Sequence, residues 1–165
     1  MAEVKFEEIK QKHLQGVLDI YLYYVLSTTA TFHTHTVSLK DMEQIVYFDK
    51  PKYKTFVMTD DGELSGYVIL SPHKKREAYN DTAEVAVYLK ADKLGQGLGS
   101  LAVTFIEDYA RAKGIHVLIA TICGENTRSI RLFEKNGFFK CAHYKEVGQK
   151  FGRLLDVVAY QKILN

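Results

Sequence analysis

The chain has 165 residues, 47% hydrophobic and 25% charged, with two cysteines and a formal net charge of +2. That length fits one domain, residues 1–165, with room for a sizeable core, and the scattered, nearly balanced charge argues against nucleic acid as a main partner. Cys123 and Cys141 are too few for a disulfide framework, "MAEVKFEEIKQK" is too charged for a signal peptide, and "YLYYVLSTTATF" is too short and polar to cross a membrane, so the expected location is cytoplasmic.

"VKFEEI" alternates as a first strand, and Leu14, Val17, Leu18, Tyr21, Leu22 and Val25 follow helical spacing over residues 14–26. "SLKD" resembles a capping box, with Asp41 in place of Glu, and opens a second helix through about Phe48, before Pro51. "KTFVMT", the turn "DDG" and "LSGYVILS" form a strand–turn–strand unit. "PHKKREAYND" is a charged loop, and "AEVAVYL" is the next strand. After the glycine loop "KLGQGLGS" comes the best helix, lined by Leu98, Leu101, Ala102, Phe105, Ile106 and Tyr109 and stopped by Gly114. "IHVLIATI" reads as a fully buried strand and "RSIRLFEKNG" as a short helix ended by Gly137. "CAHYKEV", the turn "GQKFG" and "RLLDVVAYQKI" close the chain as two strands. The expected architecture is α/β, in the order β-α-α-β-β-β-α-β-α-β-β, with a mixed sheet flanked by helices.

Gly95, Gly97 and Gly99 strip side chains from the loop that opens the long helix, where backbone N–H groups and the helix dipole converge on anions. A Walker loop needs a lysine that "GLGS" lacks, and the dinucleotide fingerprint fails at Ser100, where its third glycine belongs. A plain tight turn is the remaining alternative at the level of the loop alone.

Order and motifs together resemble the GNAT superfamily of N-acetyltransferases, in which R/Q-x-x-G-x-G/A binds the pyrophosphate of acetyl-CoA. The matching segment here is "LGQGLG", with Leu94 in place of Arg or Gln. The chain is most similar to phosphinothricin-type acetyltransferases, and the resemblance covers nearly all of it. "IYLYYVLSTTATFHT" looks like that group's first helix and loop, "SPHKKREAY" its substrate loop, "TAEVAVYL" its central strand and "EVGQKFGRLLDV" its closing hairpin. The resemblance implies the GNAT fold, a mostly antiparallel sheet, acetyl-CoA as co-substrate, a small amine as acceptor, and a homodimer. It places Val87, Tyr88 and Leu89 against the pantetheine arm. Leu94, Gly95, Gln96, Gly97, Leu98, Gly99 and Ser100 fall at the pyrophosphate, and Asn126 matches a CoA-contacting asparagine; a helix cap is its other reading.

Alternation in "AEVAVYL" separates Val85, Val87 and Leu89 from Glu84, Ala86 and Tyr88. A carboxylate inside a central strand is costly unless paired or functional, and partial burial would suit it to accept a proton. Pairing with a basic neighbour is the structural alternative; the resemblance makes Glu84 the general base. Arg76 and Lys74 suit a carboxylate or phosphinate, Arg through its two-pronged donor geometry, and otherwise read as solvated loop residues. Phe32 and Tyr79 suit an amine pocket, or simple packing. The resembling group carries Trp in place of His73, Pro in place of Glu77 and His in place of Phe133, and this chain has no tryptophan. Phe133 cannot protonate a departing thiolate; solvent or another tyrosine, such as Tyr144, would have to. His33 and His35 have no third ligand nearby in sequence, so no metal is expected, and Cys123 reads as a small buried residue. The expected reaction is acetyl transfer to an amino-acid-like amine. The rivals are a protein N-terminal or lysine acetyltransferase, and an acyl-CoA sensor without turnover.

Overall fold

The structure, a computed structural model, describes residues 3–165. Its elements are β1 (Val4–Glu8), α1 (Leu14–Ser27), α2 (Leu39–Val46), β2 (Lys54–Asp60), β3 (Glu63–Pro72), β4 (Thr82–Leu89), α3 (Leu98–Ala112), β5 (Val117–Cys123), α4 (Thr127–Lys135), β6 (Phe139–Lys150) and β7 (Arg153–Ile163). The strands form one sheet in the order β1-β2-β3-β4-β5-β7-β6. Every neighbouring pair is antiparallel except β4 with β5.

Strand alternation sorts the side chains between two cores. Val57, Tyr67 and Ile69, with Ala86 and Tyr88 packed against them, face α1 and α2. Met58, Val68, Leu70, Val85 and Leu89 face α3, whose Ala102, Val103 and Ile106 have no exposed surface. Burying a side chain such as Ile106 contributes about 2 kcal/mol.

The predicted capping box closes as expected, with Asp41 N–H donating to Ser38 Oγ at 3.1 Å and Ser38 N–H to Asp41 Oδ2 at 3.0 Å. Helix α2 then stops two residues short of Phe48, because Tyr47 adopts extended backbone and Thr55 Oγ1 of β2 donates to Val46 O at 2.9 Å. The β2–β3 turn is Asp61-Gly62, both at positive φ, as a two-residue hairpin of this twist requires. Gly114, at φ +79°, follows the end of α3 as predicted. The closing hairpin differs from the sequence expectation. "GQKFG" is not all turn: β6 runs on to Lys150, and only Phe151 and Gly152 turn, at φ +53° and +71°.

The feature that positions the site is a fork. Strands β4 and β5 pair only at Thr82–Val117, Ala83–Leu118 and Glu84–Ile119. Beyond that rung β4 stays with β3 as far as Leu89–Gly66, and β5 stays with β7 as far as Cys123–Val157. The two strands therefore part. This corrects the expectation of a wholly buried β5: Thr121 is exposed, on a strand whose neighbour has left it.

Candidate active site

The fork opens into a cavity of about 610 Å³, walled by Val85–Leu89 on one side and by Ala120, Thr121 and Ile122 on the other. Past Glu84 the edge of β4 that faces β5 has no strand to bond, so its polar backbone groups are available to a ligand. Tyr24 Oη, from α1, donates to Leu89 O and occupies one of the carbonyls at the strand's end.

One end of the cavity is the glycine loop. Gly95 and Gly97 lie at φ +77° and +82°, where a side chain costs about 1–2 kcal/mol. Gly97 is the N-cap of α3, and no side chain caps that helix. Its first backbone bond runs from Leu101 N–H to Gly97 O at 3.3 Å, so among the described residues the N–H groups of Leu98, Gly99 and Ser100 have no partner. Gly97, Gly99 and Ser100 line the cavity, which sets an anion-binding helix end against it. Gly99 has a second reason to be glycine: a Cβ there would lie 3.1 Å from both Leu132 methyls, where α3 meets α4.

Leu94 lines the cavity too. The Gln96 side chain turns back to donate to Asp92 O at 3.2 Å, and Leu98 is buried in the core, so neither side chain is presented to the cavity. Asn126 lines the cavity and also caps α4, its Oδ1 accepting from Ser129 N–H at 3.2 Å. Arg128, Arg131 and Lys135 line the same cavity from α4. No motif marks these three cations in the sequence, although their spacing of three and four puts them on one helical face.

Glu84 sits at the apex of the fork, on its last rung. Its carboxylate is a third exposed, and Oε2 lies 2.9 Å from His73 Nδ1. The Tyr79 ring meets His73 edge-on, with centroids 5.5 Å apart. Glu84 and Tyr79 are thus brought together through His73. Arg76 and Lys74 stay exposed in the β3–β4 connection. Phe32 packs on Gly148 of β6, and none of Phe32, Arg76, Lys74 and Tyr79 lines the cavity; Glu84 adjoins it, one residue before the lining begins at Val85. Phe133 does line it, buried and edge-on to Phe138 at 5.0 Å, whereas Tyr144 is exposed on β6 away from the cavity.

Two polar ties anchor the α1–α2 connection, the first of them through Thr29 and Glu125 of the cavity lining. Arg153 grips Glu125 at 2.7 and 3.0 Å while Thr29 Oγ1 donates to it at 2.6 Å. The arginine's hydrogen bonds, with the threonine's, hold the Glu125 carboxyl down at about 2. Lys150, only 3% exposed, donates to Thr31 O at 2.7 Å, and burial pushes its ammonium below the ordinary lysine range. Among the described residues no group of three or more His, Cys, Asp or Glu is placed to hold a metal ion.

The model of the acetyltransferase (GNAT) family matches residues 18–138. The chain belongs to the GNAT family. It is 32% identical to the phosphinothricin N-acetyltransferase of Streptomyces coelicolor, over 99% of this chain and 98% of that one. A GNAT phosphinothricin acetyltransferase from Sinorhizobium meliloti, solved in complex with acetyl-CoA, superposes with a TM-score of 0.93 at 27% identity, covering 98% of this chain and 89% of that one. A structure named ribosomal-protein-alanine N-acetyltransferase, from Brucella melitensis, gives a TM-score of 0.91 at 32% identity, covering 97% and 99%. This GNAT chain is an N-acetyltransferase with acetyl-CoA as donor. The observed donor set fits that molecule: unpartnered N–H groups and three cations suit its phosphates, and the uncovered edge of β4 suits the amides of its pantetheine arm. No helix among the described residues is long and apolar enough to cross a membrane.

Proposed function

We propose that the chain acetylates the amine of a small, amino-acid-like acceptor, and that the fork with Glu84 at its apex is where this happens. Bound acetyl-CoA supplies the thioester. The loop from Leu94 to Ser100 holds the pyrophosphate through backbone N–H groups, with Arg128 beside it, and Val87, Tyr88 and Leu89 hold the arm. A backbone N–H near Val87 polarises the acetyl carbonyl. The neutral amine forms a C–N bond as the C–S bond breaks, and Glu84 takes the amine's proton directly or through water. A thiol of ordinary pKa, about 8.5, leaves well enough as thiolate to be protonated by solvent, which suits a site with Phe133 on its wall. Arg76 and Lys74 meet the acceptor's acidic group, with Phe32 and Tyr79 nearby; this needs the loops of residues 28–37 and 73–81 to close on the acceptor.

The observation that carries the reading is the parting of β4 and β5 beside a helix end with free N–H groups. The small-acceptor choice draws support from likeness to enzymes named for phosphinothricin. Likeness to a structure named for a ribosomal protein's alanine keeps a protein N-terminus as the second reading. Thiol release from acetyl-CoA decides between them, measured with a panel of amino acids, phosphinothricin and an alanine-initiated peptide. Faster release with the small amines than with the peptide supports the proposal, and the reverse order selects the second reading. CoA binding without release for any acceptor would make the chain a sensor. A cytoplasmic homodimer completes the proposal; free Cys123 and Cys141 support the compartment, and the exposed edge strand β6 supports the pairing.

A further inference from the structure

Glu84 has one side-chain partner among the described residues, and that partner is set by strand register. Ser71 of β3 stands opposite Glu84, and Pro72 opposite Ala83. His73, two residues beyond Ser71, falls on the same face as Glu84, as its diagonal neighbour across the pair. The distance from Nδ1 to Oε2 is 2.9 Å, with His73 one-fifth and Glu84 one-third exposed. An ionised carboxylate accepts hydrogen bonds and cannot donate, so Nδ1 must carry the proton of this bond. Tyr79 closes the other side, its ring at 74° to the imidazole, which fixes the plane of the ring.

We propose that His73 is a positioning residue for Glu84: its Nδ1–H holds Oε2, fixes the carboxylate at the apex of the fork, and leaves Oε1 as the oxygen that receives the amine's proton. The inference rests on Glu84 being the base. Glu84 stands one residue before Val85, where the cavity lining on β4 begins, and His73, which is also outside the lining, acts through the carboxylate.

Two measurements test it. Side-chain ¹⁵N NMR of the unliganded protein reads the tautomer without any substrate: His73 carries a proton on Nδ1, and a bare Nδ1 would overturn the proposal. Steady-state rates with acetyl-CoA and the fastest acceptor among phosphinothricin, methionine and methionine sulfone then read the coupling. His73→Leu lowers kcat about tenfold with KM for acetyl-CoA unchanged, and His73→Asn, which keeps an N–H near the Nδ1 position, recovers most of the loss. His73→Gln, whose N–H is carried further out, stays slow and serves as the comparison with His73→Asn if the leucine variant fails to fold. Added to Glu84→Gln, His73→Leu costs nothing more. A wild-type rate for His73→Leu, no recovery with Asn, or a further tenfold loss in the double variant would each refute the role. A wild-type rate for Glu84→Gln alone would instead remove Glu84 as base and take the inference with it.

Discussion

Gly97 and Gly99 are glycine for different reasons, and the difference can be measured. Gly97 needs its positive φ, but a Cβ there would meet nothing within 4 Å; Gly99 has ordinary helical backbone and no room beside Leu132. Gly97→Glu therefore keeps the fold at a cost of about 1–2 kcal/mol in backbone strain, yet sets a carboxylate among the N–H groups of α3. The expected result is loss of the thermal stabilisation that CoA gives the wild type, while Gly97→Ala retains much of it. A full CoA shift in a folded Gly97→Glu protein would reduce the loop to a turn. At this scale the sequence is informative about backbone and weak about partners. Glycine spacing predicts the loop and alternation predicts the face of Glu84. The same reading ends β3 at Ser71, one residue before the observed end at Pro72, and puts His73 in the connection beyond, where the structure also has it; its contact with Glu84 has no signature in the sequence, because it depends on the β3–β4 register.

Among the elements, the Glu125 tie joins three segments that are distant in sequence: the start of the α1–α2 connection, the loop before α4, and the start of β7. Its pH dependence follows from the direction of the shift. Glu125 is held at about 2 in the folded protein, below its usual 4.5. The tie therefore stabilises fully above about pH 4.5 and is lost as pH falls toward 2. Both side chains are some two-fifths or more exposed, so solvent screening keeps the contribution small. Urea titrations should show wild type exceeding Glu125→Gln by a small margin near neutrality and converging with it at the acid end. A constant gap across that range would mean the charge is not what holds the loops. Elements with strong periodicity, α1 and α3, were legible to within a residue or two. The closing hairpin was not, because its two-residue turn uses Phe151 in a left-handed conformation that phenylalanine rarely adopts. What holds it there includes buried Lys150, a long-range contact to Thr31 with no local signature.

The whole molecule leaves one edge of its sheet bare. β6 ends the strand order and is exposed along nearly all its length, with Tyr144 and Val147 on it and Leu154 on β7 each more than half exposed. An edge of this kind invites pairing, and in the proposed homodimer a second copy covers it. Light scattering should give twice the chain mass, and Val147→Lys should shift the protein to monomer without changing its far-UV spectrum. A monomeric wild type would remove the dimer. The strand order was only partly readable from sequence, since "RLLDVVAYQKI" carries no local mark saying that it inserts between β5 and β6.

The three rungs joining β4 to β5 also have a mechanical meaning. Among the described residues they are the only ladder between a half-sheet of β1 to β4 and a half-sheet of β5, β7 and β6. In the binding mode proposed above, a donor molecule lies along β4 with its phosphates at α3 and α4, and so bridges the two halves where the described residues supply no backbone bonds. On that proposal, loading the enzyme repairs its own sheet: amide exchange in Val85–Leu89 and Ala120–Cys123 should slow together, as two weakly joined halves begin to open as one.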